Sequence, residues 1–256
     1  MKDLVQQQRF EIKYRITEEI ASRVRDFIRG FLKPDEFSRG QNRAYPVFSL
    51  YLDSEDLKLY SSTINGDKNR FKLRLRYYEE TETAPVFFEI KRRVNNTILK
   101  KRASVKREVV EALLLGEHPQ LRHLTKPDGK QLVNLQQFMA EVRRINAKPR
   151  TLVTYLREAW MSHVDNSVRV TFDRGVHAAP ESRAPWGNDL ADAVRVFEEH
   201  VIMEFKYTDR MPRWGGEMIQ CFRLVQTGAA KYVEGVDLTG ERRKLIPKFV
   251  DSRPPW

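Results

Sequence analysis

Three Glu-x-Lys triplets stand inside apolar runs: Glu11-Ile12-Lys13, Glu89-Ile90-Lys91 and Glu204-Phe205-Lys206. In an extended strand, residues i and i+2 share a face. Each triplet therefore sets a carboxylate beside an ammonium, with a large apolar residue on the opposite face. The run from Phe71 to Tyr77 does the same with cations alone: Lys72, Arg74 and Arg76 oppose Phe71, Leu73 and Leu75. Arg169, Thr171 and Asp173 alternate with Val168, Val170 and Phe172, and Val153-Thr154-Tyr155-Leu156-Arg157 carries a further arginine. Arg9, Glu11, Lys13 and Arg15 form the polar face of the first strand.

Residues of these types suit phosphate chemistry. Neighbouring like charges on one strand face repel, and a polyanion between them relieves the repulsion. Arg prevails over Lys on several of these faces, and its planar fork matches phosphate oxygens. Phosphoryl transfer asks chiefly for positioning, charge neutralisation and a divalent metal held by carboxylates. The plainer reading is an antiparallel sheet with one solvated face. The alternative is an α+β fold: an antiparallel β-barrel with helices packed outside and the charged faces lining a basic tunnel.

Composition narrows the partners. The 256 residues include 46 Lys and Arg against 35 Asp and Glu, a formal net charge of +11, and 41% are hydrophobic. That suits one domain over 1–256, with a loose tail at 251–256, and an anionic partner. The cations are spread along strands instead of gathered in a tail, which disfavours a polybasic membrane anchor. No helix-turn-helix or zinc-finger spacing occurs, so no nucleic-acid partner is expected. The single cysteine, Cys221, allows no intrachain disulfide and reads as helix core. Residues 1–9 lack a signal-peptide core, and no apolar run is long enough to span a bilayer, so a cytoplasmic location is expected. P-loop, Rossmann and nucleophile-elbow motifs are missing, and the five histidines are too scattered for a zinc site.

The elements that must position the cations read as follows. A strand over 10–16 leads to a helix opened by Thr17 and ended by Pro34. Strands follow at 47–52, 70–78 and 86–92, with Ser54 capping a short helix to Tyr60 and Asn65-Gly66 as a turn. A basic extended stretch covers 97–103, a helix 107–115, a loop 116–131 and an amphipathic helix 133–145. Strands return at 151–160, 167–173 and 201–207, with a loop over 178–190. Pro212 opens a helix toward Val225, and another begins between Gly228 and Tyr232.

In this order the segments resemble the VTC domain, the polyphosphate polymerase domain of the triphosphate tunnel metalloenzyme (CYTH-like) superfamily. Arg9-Phe10-Glu11-Ile12-Lys13-Tyr14 is similar to its opening strand and Ser49-Leu50-Tyr51-Leu52-Asp53 to its Ser-x-Tyr-x-Asp strand. Lys72–Tyr77, Phe88–Lys91 and Ser104-Val105-Lys106-Arg107 resemble its Arg-rich strand, the next strand and its Ser-x-Lys segment. Tyr155–Trp160, Val168–Asp173, Met203–Lys206 and Ala230-Lys231-Tyr232 complete the set.

The resemblance implies a metal-dependent polymerase, using Mn²⁺ or Mg²⁺, that moves the ATP γ-phosphate onto a polyphosphate chain. It implies catalytic roles for Arg74, Arg76, Lys91, Arg157, Arg169 and Lys206. Phosphate binding falls to Lys13, Lys72, Lys106 and Lys231, and metal binding to Glu204, with Glu11 and Glu89 in support. Tyr51, Asp53 and Asp173 are candidates for supporting roles. A triphosphatase of the same superfamily is the alternative; Arg9 stands where such hydrolases carry the first Glu of Glu-x-Glu-x-Lys, which lowers that reading. A non-catalytic polyanion binder is a second alternative. Neither the N-terminal regulatory domain nor the transmembrane part of larger family members is seen, which leaves room for a separate membrane partner.

Overall fold

The computed structural model describes residues 9–38, 44–95, 97–165, 167–181 and 193–240. The expected tail at 251–256 and most of the expected loop at 178–190 lie outside them. Ten strands form one antiparallel sheet. They are β1 (Arg9–Ile16), β2 (Lys33–Pro34), β3 (Tyr45–Asp53), β4 (Asn69–Tyr77), β5 (Val86–Val94), β6 (Thr97–Val105), β7 (Lys148–Met161), β8 (Val168–Pro180), β9 (Val194–Arg195) and β10 (Val201–Thr208). The main path runs β1-β10-β8-β7-β3-β4-β5-β6, with β2 added to β7 and β9 to β8. Among the described residues six helices accompany it: α1 (Glu18–Ile28), α2 (Lys58–Ile64), α3 (Val110–Leu114), α4 (Gly129–Arg144), α5 (Arg213–Cys221) and α6 (Lys231–Leu238).

The sheet is strongly curled. In the path β1 and β5 stand six places apart, which in a flat sheet would separate them by roughly 29 Å. Yet Lys91 Nζ on β5 donates to Glu11 Oε2 on β1 at 3.1 Å. The charged face is therefore the concave one. The curl stops short of the expected barrel closure: among the described residues no ladder joins β1 to β6. The outer edge of β1 is instead taken by the 226–228 segment: Tyr14 bridges Gln226, Thr227 N donates to Lys13 O at 2.9 Å, and Arg15 Nε donates to Gly228 O at 3.0 Å.

The α+β expectation holds, and most helices lie outside. Leu50, Leu52, Leu73, Leu75, Phe88 and Ile90 turn to the convex face, where Leu135, Phe138 and Met139 of α4 cover them. Tyr14, Met203 and Phe205 meet Val24 and Ile28 of α1 and Met218 of α5. The exception is α6. Its Tyr232, Val233 and Val236 pack on Val47, Tyr51, Val153 and Tyr155, which share the concave face with the cations. This inward helix corrects the expectation that all helices lie outside; four apolar or aromatic residues on that face need cover.

Several boundaries moved for local reasons. Thr17 caps α1 as read, accepting from Ile20 N. The helix after Ser54 starts only at Lys58, because the buried Asp53 carboxylate takes the Leu59 and Tyr60 amides at 2.9 Å each. α4 gains a turn from Asp128, which accepts from Gln131 N. Cys221 is exposed, since the buried stripe of α5 follows Met218 and Phe222. β8 runs past Asp173 through an irregularity at Gly175 (φ 54°), which breaks the alternation there.

Candidate functional site

A cavity of about 400 Å³ opens on the concave face. Its lining holds eleven Lys and Arg side chains, among them Lys13, Lys72, Arg74, Arg76, Lys91, Arg157, Lys206 and Lys231, and two carboxylates, Glu11 and Glu204. That imbalance calls for an anionic guest. Strand alternation puts most of these cations here, because the opposite face of each strand is spent on the core; Lys231 comes from the first residue of α6.

The carboxylates are held in cages of cations. Glu204 lies 2.7 Å from Lys206, 3.4 Å from Lys231, and 3.8 Å from both Arg157 and Lys13. Burial would raise its pKa, but Lys206, Lys231, Lys13 and Arg157 outweigh that and hold it well below the usual carboxylate range. Glu11 is depressed in the same way, burial being outweighed by Lys206 and Lys91. Lys206 Nζ also lies 3.9 Å from Glu11, so the two carboxylates converge on one ammonium.

Behind this layer, fully buried Asp173 clamps Arg157 through two bonds of 2.6 and 2.7 Å and meets Lys231 at 2.7 Å. Fully buried Glu89 holds Arg74 at 2.6 Å, Lys100 at 2.6 Å and Arg102 at 3.4 Å. Asp53 accepts from Tyr232 Oη at 2.6 Å, and Tyr232 stacks on Tyr51 at 4.8 Å. Glu89, Asp53 and Asp173 thus position cavity residues from outside its lining.

Two cations stand apart. Arg76 is 7% exposed and is held by Ser49 Oγ at 3.0 Å and Tyr155 Oη at 3.0 Å, with no carboxylate in ion-pair range among the described residues. Lys72 likewise has no ion-pair partner among them; burial, with Lys13 and Lys91 close by, pushes its pKa down to about 8. Burial alone would raise the Tyr51 phenol, but Arg74, Arg76 and Lys72 bring it down to about 8.

Two expected site residues lie elsewhere. Arg169 pairs with Asp35 at 2.8 Å and lines a second cavity. Lys106 is exposed, preceding the 3₁₀ turn at Arg107–Val109, because its alternation ends where β6 ends. Sequence reasoning missed Arg70 and Arg93 at the cavity wall and Lys100 and Arg102 beside Glu89. The period-two run Ile98, Lys100, Arg102, Ser104 was the signal for the last pair.

An antiparallel sheet curled around a cation-lined interior defines a tunnel-type, phosphate-handling class of domain. The chain belongs to the VTC domain family, whose model matches residues 8–239. Membership ties it to polyphosphate through a tunnel-type fold. No curated protein matches the chain. No helix among the described residues is long and apolar enough to cross a membrane.

Proposed function

We propose that this domain is a metal-dependent polyphosphate polymerase, moving the γ-phosphoryl group of ATP onto the end of a polyphosphate chain in the cationic cavity. The buried Arg76 guanidinium carries this reading. A cation desolvated without a carboxylate gains most from an anion delivered as substrate. The terminal oxygen of the acceptor chain forms the new bond to γ-phosphorus, the β,γ-bridging P–O bond breaks, and ADP leaves with that electron pair. Arg74, Arg76 and Arg157 neutralise the transferring group, while Lys13, Lys72, Lys91, Lys206 and Lys231 hold the flanking phosphates.

The depressed carboxylates favour polymerase over hydrolase. Glu11 and Glu204 are weak bases in their cages. A water nucleophile would need a base, whereas a phosphate terminus is already ionised. Glu204 and Glu11 also suit Mn²⁺ or Mg²⁺. Among the described residues no cluster of three or more acidic, His or Cys ligands exists. Two carboxylates converging on one cationic position match an ion that completes its shell with phosphate oxygens. The Thr171 hydroxyl, across the ladder from Glu204, is buried without a hydrogen-bond partner. Such an ion would neutralise charge between the β- and γ-phosphates.

Purified protein given ATP and Mn²⁺ is expected to yield ADP and long phosphate chains. Free phosphate alone would establish the hydrolase, and tight polyphosphate binding without turnover the binder. Glu204→Gln should abolish transfer while tripolyphosphate still binds; surviving transfer would remove Glu204 from its metal role.

A further inference from the structure

A second cavity, of about 1190 Å³, continues the concave face beyond the cationic one. Two neighbouring strands show the same order along it. On the β4 side the inner residues run Arg70, Lys72, Arg74, Arg76 and then Tyr78; along β5 they run Arg93, Lys91, Glu89 and then Phe87. The cationic ends line the first cavity, and Tyr78 and Phe87 line the second. Four rings form a chain there: Phe37 to Tyr45 at 5.9 Å, Tyr45 to Tyr78 at 6.0 Å, and Tyr78 to Phe87 at 5.9 Å.

Arg102 lies over the Phe87 ring, 3.4 Å from its centroid. Its Nε is 3.4 Å from Glu89 Oε1, while Arg74 is 2.6 Å from Glu89 Oε2. One carboxylate, Glu89, thus contacts both Arg102 on the aromatic cavity and Arg74 on the cationic one. Asp35, Glu36, Glu79 and Glu80 also line the second cavity. With Lys33, Arg102 and Arg169 on the same lining, and Asp35 paired to Arg169, this cavity lacks the cationic excess of the first and suits a neutral ring better than a phosphate chain.

We propose that the aromatic cavity seats the nucleobase of the nucleoside triphosphate, stacked among Phe87, Tyr78 and Arg102, with Phe37 at the rim. This rests on the reading that the cationic cavity holds the phosphates. Bases stack on aromatic and Arg planes with little dependence on sequence, so any purine nucleotide should be held.

Calorimetric titrations of the full chain with ATP and with inorganic tripolyphosphate provide the test. Phe87→Leu keeps apolar bulk and removes the ring; it should weaken ATP roughly tenfold and leave tripolyphosphate unchanged. Phe37→Ala removes a ring that is 66% exposed, so folding does not depend on it. It should cost ATP about threefold and again spare tripolyphosphate; if Phe87→Leu misfolds, this variant decides. Equal losses for both ligands, or ATP binding unchanged in both variants, would overturn the nucleobase seat alone. Failure of the native chain to bind tripolyphosphate at all would overturn the phosphate reading with it.

Discussion

Asp173 shows how a carboxylate can serve the cavity without lining it. It is fully buried, and Arg157 and Lys231 both depend on it. Removing one partner of a buried pair typically costs about 3–5 kcal/mol, so Asp173→Asn should lose that much in urea denaturation. Lys72 and Tyr51 set a pH dependence of opposite sign for binding and for folding. Both are brought down to about 8. From there to their ordinary values of 10.5 and 10.0, the unfolded chain binds protons that the folded chain has released. Their contribution to stability therefore rises with pH in that window. Anion binding goes the other way, because Lys72 loses its charge while Tyr51 gains one. Tripolyphosphate affinity should fall as pH rises through about 8, without a matching fall in urea midpoint, and Lys72→Gln with Tyr51→Phe should flatten the profile. Alternation set Lys13, Lys72, Arg74, Arg76, Lys91, Arg157 and Lys206 on the faces that line the cavity, whereas Lys231, the first residue of α6, was reached only through the family resemblance. Alternation failed for Arg169, whose partner Asp35 arrives from a distant turn, and for Lys106, where the strand ends.

α6 is the element on which the cavity most depends. It brings Lys231 to Glu204 and Asp173 from its first residue, and it approaches β8 so closely that a Cβ at Gly235 would lie 2.9 Å from the Ala178 Cβ. α6 cannot back away without moving Lys231, its first residue. Gly235→Ala should therefore cost about 1–3 kcal/mol and weaken tripolyphosphate, whereas Gly216→Ala, where an added Cβ would meet nothing within 4 Å, should do neither. Urea denaturation and calorimetry on the two variants distinguish the cases. The sequence placed this helix near its true start, but nothing in its residues said which face of the sheet it covers. The strands were legible where period two was unbroken. The second half of β8 was hidden because Gly175 shifts its register.

Across the whole molecule, a guest that binds only the folded chain should stabilise it. At a hundredfold excess over Kd the gain is about 2.7 kcal/mol, which for a domain of this size raises Tm by about 5–10 °C. Thermal scans with tripolyphosphate check this, and the shift should shrink with added salt as the cavity charges are screened. Composition foretold an excess of cations, which the cavity lining carries, and segment order foretold the α+β architecture of a strongly curled sheet. The missing β1–β6 ladder was not foreseeable, because the segment that takes the β1 edge, around Gln226 and Thr227, is far away in sequence and carries no strand pattern. A closed barrel has its calibre fixed by strand number and stagger. A curled ribbon whose two edge strands are not paired with each other does not, and here Lys91 and Glu11 act as a clasp across the lumen. An anion that draws Lys91 away would undo that clasp, leaving the calibre of the bore to be set by its occupant with every strand still paired to its neighbour.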